Sequence, residues 1–98
     1  MKLTSKQRKF LRSKAHHLKP VVLIGKFKLN DSTINAIEES LNSHELIKVK
    51  FNQHKDLKKE IIYKINRKAD SQSIGLIGNI AIIFRQNIDP EKRIYNID

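Results

Sequence analysis

Apolar positions along the chain change period several times, and each change marks an element. Leu3, Phe10, Leu11, Ala15 and Leu18 fall on one side of a helix at about 100° per residue, which predicts a helix from Ser5 to about His17. Thr4 stands as its N-cap and Gln7 three residues on completes a capping box, while Pro20 forbids continuation. Val21–Ile24 is a β-branched run of the kind that forms a strand buried on both faces, ended by Gly25. Asn30 is placed to cap a second helix, with Leu29 and Ile34 as a staple and Ile34, Ile37 and Leu41 as its buried stripe. The run Leu46–Phe51 alternates from Ile47 onward and predicts a strand with one wet face. A third helix is expected from about Lys55 to Lys68, with Leu57, Ile61, Ile62 and Ile65 inward. Ile74–Ile77 and Ile80–Phe84 read as two strands joined at Gly78-Asn79, residues that tolerate the positive φ of a two-residue hairpin turn. From Asn87 the pattern is irregular, which predicts a surface segment.

The order α-β-α-β-α-β-β predicts an α/β two-layer sandwich whose four-stranded mixed sheet combines parallel crossovers with one antiparallel hairpin. The 98 residues suffice for one domain with a modest core, placed at about residues 2–86 with an irregular tail over 87–98. Without cysteine, a disulfide scaffold, a thiolate metal site and a cysteine nucleophile are excluded together. Apolar runs fall far short of the roughly 20 residues of a membrane span, and no apolar stretch follows the basic N-terminus as a secretory signal requires. A soluble cytoplasmic protein is expected.

Charge sharpens this picture. The net charge is +10, and residues 1–30 carry nine Lys and Arg without a single acid; the remaining chain mixes 11 basic with 10 acidic residues. A one-signed segment repels itself and implies an anionic partner. Arg8, Lys9 and Arg12 fall opposite the apolar side of the first helix, so Arg8 and Arg12 should be replaceable without cost to folding. Gly25-Lys26-Phe27-Lys28 lies between a strand and a helix N-terminus, where main-chain N–H groups and the helix dipole suit a phosphate. Phe27, between two lysines, is placed either to stack on an unpaired base or to fold back as a lid on the core. Arg85 extends the basic surface if its strand end lies beside Gly25. The Gly75-Leu76-Ile77-Gly78 string is apolar inside and reads as a strand end.

Catalytic chemistry is hard to assemble. His16 and His17 point about 100° apart on a helix, so they cannot share one ion, and His44 and His54 have no ligand at suitable spacing. Glu38 and Glu39, the adjacent acids, belong to a helix surface, and neither a nucleophile elbow nor a Walker loop is present. No catalysis, cofactor, metal or small-molecule substrate is expected.

Several strings together resemble a known family: Leu3-Thr4-Ser5-Lys6-Gln7-Arg8, Ala15 to Gly25 with its Leu18-Lys19-Pro20-Val21-Val22 segment, His44-Glu45-Leu46-Ile47-Lys48-Val49-Lys50, Ile77-Gly78 and Ile82-Ile83-Phe84-Arg85. They resemble the YhbY family, the stand-alone bacterial form of the CRM (chloroplast RNA splicing and ribosome maturation) domain, over about residues 2 to 86. The resemblance implies a fold similar to the C-terminal domain of bacterial translation initiation factor three. It also implies RNA binding, with association to precursors of the large ribosomal subunit. The family's GxxG loop falls on Gly25–Lys28, with Lys28 in place of the second glycine, and its closing Tyr-Arg pair on Phe84-Arg85. Lys28 then either replaces a backbone clamp by a charge contact or sits strained at positive φ.

The expected function is a non-catalytic RNA-binding protein of large-subunit assembly, acting as a monomer. Its RNA surface would combine Lys6, Arg8, Lys9, Arg12, Lys19, Gly25, Lys26, Phe27, Lys28 and Arg85. An adaptor docking its basic face on an acidic ribosomal protein or factor is the alternative. Peripheral membrane binding through the first helix is disfavoured by its core-type apolar face and the absence of Trp.

Overall fold

The computed structural model describes residues 2–26 and 28–97. Helices α1 (Ser5–Ala15), α2 (Asp31–His44) and α3 (Lys58–Ala69) alternate with strands β1 (Val22–Ile24), β2 (Leu46–Phe51), β3 (Gln72–Ile77) and β4 (Ile80–Phe84). The capping box at Thr4 forms in both directions, with Gln7 N–H donating to the Thr4 hydroxyl at 3.1 Å and Thr4 N–H to Gln7 Oε1 at 2.8 Å. Asn30 caps α2 through Thr33 N–H at 2.8 Å. The third helix begins later than expected, because Lys55–Leu57 closes as a separate 3-10 turn.

The strands form one sheet in the order β1-β2-β4-β3. β1 runs parallel to β2, and β4 is antiparallel to both β2 and β3. The hairpin strand β4 therefore inserts between β2 and β3. Every residue from Ala81 to Phe84 is buried, whereas β3 carries Gln72, Ser73 and Gly75 and a register shift at Ser73/Gly75. A strand apolar on both faces gains most from the centre, and the polar, irregular one takes the edge.

Two apolar cores form, one on each side of the sheet. Ile37 and Leu41 of α2 and Ile61, Ile62, Ile65 and Ala69 of α3 pack on Val22, Ile24, Ile47, Val49, Phe51, Ala81 and Ile83. On the other face Leu3, Leu11 and Ala15 pack with Leu46, Ile74, Ile82, Phe84 and Ile97. The expected sandwich of sheet and helices is thus built by α2 and α3, and α1 adds a layer on the second face. The tail contains a 3-10 turn at Pro90–Lys92 and does not merely lie on the surface. Ile97 is 5% exposed in the second core, and Gln7 Nε2 donates to its carbonyl at 2.6 Å.

Three further expectations are corrected by packing. The second core takes in no residue of β1, so Val22 and Ile24 are buried in the first core but Val21 and Leu23 stay open, against the expected burial on both faces. Phe10 lies beside the helix stripe rather than in it and keeps 36% of its surface, with the Lys14 ammonium 5.4 Å from the ring centre. Ile34 is half-buried and lies outside the core stripe that Ile37 and Leu41 form.

Candidate nucleic-acid interface

The candidate surface starts from α1, which has no acid and carries Lys6, Arg8, Lys9, Arg12 and Lys14. Lys6 and Lys9 are exposed, as is Lys19 in the link to β1. Arg8 and Arg12 do more than face solvent. Their guanidinium groups reach the carbonyl of Ile74 at 3.4 and 3.3 Å, at the irregular point of edge strand β3. The Arg12 stem lies over Gly75, where an added Cβ would meet its Cδ at 3.2 Å. Replacing these arginines therefore costs packing as well as charge, contrary to the sequence expectation.

At the C-terminal end of β1 the chain turns at Gly25. Lys28 N–H donates to Gly25 C=O at 3.1 Å, closing the turn, and both Lys26 and Lys28 are exposed. His54 from the turn after β2 supports it, with Nε2 3.1 Å from the Lys26 carbonyl. Phe27 lies outside the described residues. Lys28 has φ 55, the left-handed conformation, so it stands with a side chain where a glycine would rest without strain. A Cβ at Gly25 would meet nothing within 4 Å; the fold does not need glycine there, and its bare backbone is left open to an incoming ligand. The N-terminus of α2 is a poorer anion site than the sequence suggests. The Asn30 side-chain Oδ1 already accepts from the Thr33 N–H and hydroxyl, and Asp31 occupies the first turn.

Lys28→Gly is expected to stabilise the protein by about 0.5–1 kcal/mol. Relief of the left-handed penalty, about 1–2 kcal/mol, outweighs the added freedom of the unfolded chain. A thermal melt reads it directly, and an unshifted midpoint rejects strain at this position. Lys28→Ala keeps the strain and removes the charge, so RNA titration of the pair separates the two roles of the residue.

Arg85 is not part of this surface. β4 runs antiparallel to β2, so Arg85 follows the Phe84↔Leu46 pair at the end of the sheet opposite Gly25. Its guanidinium is committed to Glu38 Oε2 at 2.8 Å, the Ala69 carbonyl at 2.7 Å and Asn42 Oδ1 at 2.8 Å. It ties α2 and the end of α3 to the sheet.

Sequence reasoning missed two lysines of β2. Lys48 and Lys50 point to the α1 side of the sheet, in register with Ile82 and Ile80. Lys48 Nζ donates to the Leu18 carbonyl at 3.0 Å and lies 3.5 Å from that of His16, holding the chain where it leaves α1. Lys50 is exposed. Their signal was the alternation of β2, which puts both lysines on the same face. The acids of the described chain lie on α2, α3, the turns and the tail; α1, the segment 16–30 and all four strands have none. Among the described residues no group of three His, Asp or Glu could hold a metal ion, and no helix is long and apolar enough to cross a membrane.

Comparison with known proteins fits this arrangement. The family model of the CRS1/YhbY (CRM) domain matches residues 3–85. The probable RNA-binding protein PA4753 of Pseudomonas aeruginosa is 35% identical over 99% of this chain and 94% of its own length. The probable RNA-binding protein YqeI of Bacillus subtilis is 40% identical over 87% of this chain and 90% of its own. Among solved structures, the solution structure of the hypothetical protein SAV1595 from Staphylococcus aureus superposes with a TM-score of 0.78 at 33% identity, covering 97% of this chain and all of that one.

Proposed function

Because the chain belongs to the CRS1/YhbY (CRM) domain family, we propose that it binds RNA through α1, the link from α1 to α2 and the neighbouring strands, elements that contain no acid, and acts, without catalysis, on precursors of the large ribosomal subunit. The observation that carries the RNA reading is the segregation of charge. α1, the link from α1 to α2 and the strands contain no acid and carry Lys6, Arg8, Lys9, Arg12, Lys19 and Lys50 among their cations. A surface of this kind supplies the phosphate affinity common to nucleic-acid binders, and its bare backbone at Gly25 allows close approach. Ribosomal RNA is the anionic polymer that the family resemblance points to, and the protein would meet it as a monomer in the cytoplasm.

Lys6→Glu with Lys9→Glu tests the surface at exposed positions for which no internal contact would be lost. Affinity for purified ribosomal RNA should fall at least tenfold, with the log–log salt slope flatter by about one unit per lost phosphate contact. Equal affinity in an equally stable variant rejects the surface. Co-sedimentation with large-subunit precursor particles, and depletion from translating ribosomes, tests the cellular part. Recovery only among free proteins at low and moderate salt rejects it. Retention on an acidic ribosomal protein without affinity for bare RNA would instead support the adaptor reading.

A further inference from the structure

The α1 side of the sheet is only partly covered. α1 and the tail pack on Leu46, Ile74, Ile82 and Phe84, at the end remote from Gly25. One step toward Gly25 the register sets four residues in a row across all four strands. Leu23 of β1 pairs with Lys50 of β2, Lys50 with Ile80 of β4, and Ile80 with Ile77 of β3. Paired residues share a face, so these side chains rise together beside the turn. Leu23 is 56% exposed and Ile77 66%, Lys50 is exposed and Ile80 half-buried. An open apolar strip crossing a sheet, with a cation at its centre, is costly to leave in water and marks a contact surface.

We infer that this row is a floor for an unpaired segment of RNA, with Lys50 on a phosphate and Leu23, Ile80 and Ile77 against bases and riboses. The inference rests on the RNA reading above and names the form of RNA that this part of the surface takes. Charge sets the class of partner: neither the strands nor α1 contains an acid, and Arg12 and Lys26 come from the elements that border the row. Apolarity sets its form. A paired A-form helix offers phosphates and 2′-hydroxyls, which would strip water from Leu23 and Ile77 without replacing it by apolar contact. Unpaired nucleotides expose base faces and ribose C–H edges, which an aliphatic strip can cover.

The test uses Leu23→Thr with Ile77→Thr in the full chain. Both side chains are more than half exposed, and threonine keeps the strand preference, so folding should survive. Binding to a labelled oligouridylate and to a blunt RNA duplex is measured side by side. We expect the double variant to lose about tenfold on the oligouridylate and less than twofold on the duplex, with an unchanged salt slope because no charge is removed. Lys50→Gln should flatten the slope for the oligouridylate by about 0.7. Unaltered affinity for the oligouridylate, or equal loss on both RNAs, overturns the proposal while leaving RNA binding intact. If the floor serves a protein instead, the threonine variant keeps its affinity for both RNAs, which is the same overturning result. A parent protein that binds neither RNA overturns the RNA reading itself. Should the double variant melt early, each single threonine variant and Lys50→Gln carry the same comparison.

Discussion

Glu45→Ala is expected to destabilise the protein by about 3 kcal/mol and to release the tail from the body. Glu45 alone connects α2 to β2, at φ 60, and its side chain is fully buried. Its carboxylate accepts three main-chain N–H groups of the tail, from Asn87 at 2.5 Å, Ile94 at 2.6 Å and Tyr95 at 3.1 Å. Its own carbonyl accepts from Arg85 N–H at 2.8 Å. Removing the carboxylate orphans three donors, each worth about 1–3 kcal/mol if kept from water, and the tail can escape that cost only by undocking. Undocking exposes Ile97 and uncovers the second core. At this chain length the loss corresponds to roughly 12–24 °C in Tm. Hydrogen exchange at the Ile94 and Tyr95 amides should rise before the rest of the protein opens. A Tm within about 2 °C of the parent would refute the clamp. The Tyr95 phenol reports on the same spot: its pKa lies above the usual value, through desolvation first and the Glu45 charge second. Tyr95 therefore favours its neutral form more in the folded than in the unfolded chain, so this contribution to stability is lost as pH rises past about 10.

Arg85→Ala should cost nearly as much, about 2–4 kcal/mol, and leave RNA affinity per folded molecule unchanged. Its side chain is 19% exposed and joins β4 to both helices on the first core. The variant leaves the Ala69 carbonyl, which ends α3, and the Glu38 carboxylate without their charged donor. Arg85→Lys would restore charge without the fork that reaches Glu38, Asn42 and the Ala69 carbonyl at once, and should recover only part of the stability. Denaturant unfolding measures the first effect and titration of the folded variant the second. A stable Arg85→Ala protein with weakened RNA binding would return this residue to the interface.

These two residues show where sequence reasoning stops. Both lie in strings that carry the family resemblance, yet Arg85 reads locally as the charge that ends a strand, and Glu45 as an acid between a helix and a strand. Their partners are 16 to 50 residues away along the chain. No periodicity records such a distance. For the α1 arginines the spacing was informative, since Arg8 stands three residues before buried Leu11 and Arg12 three before buried Ala15, but only the placement of β3 brought the Ile74 carbonyl within their reach.

What the sequence alone determined follows from interactions of short range. Thr4, Gln7 and Asn30 bond within three residues, so helix starts were legible. Alternation in β2 and the Gly78-Asn79 turn are equally local, and composition by itself exposed the acid-free first 30 residues. Tertiary structure decided what depends on which surfaces meet. It put the all-apolar β4 in the centre of the sheet and left one face of β1 uncovered, opening Leu23 and Val21. It moved Arg85 to the far end of the sheet, drew the tail onto Glu45, and aligned Leu23, Lys50, Ile80 and Ile77 from four separate strands. The physical reason is that burial is shared among segments distant in sequence, and the pairing that hides the most apolar surface is a property of the whole chain, not of any one segment.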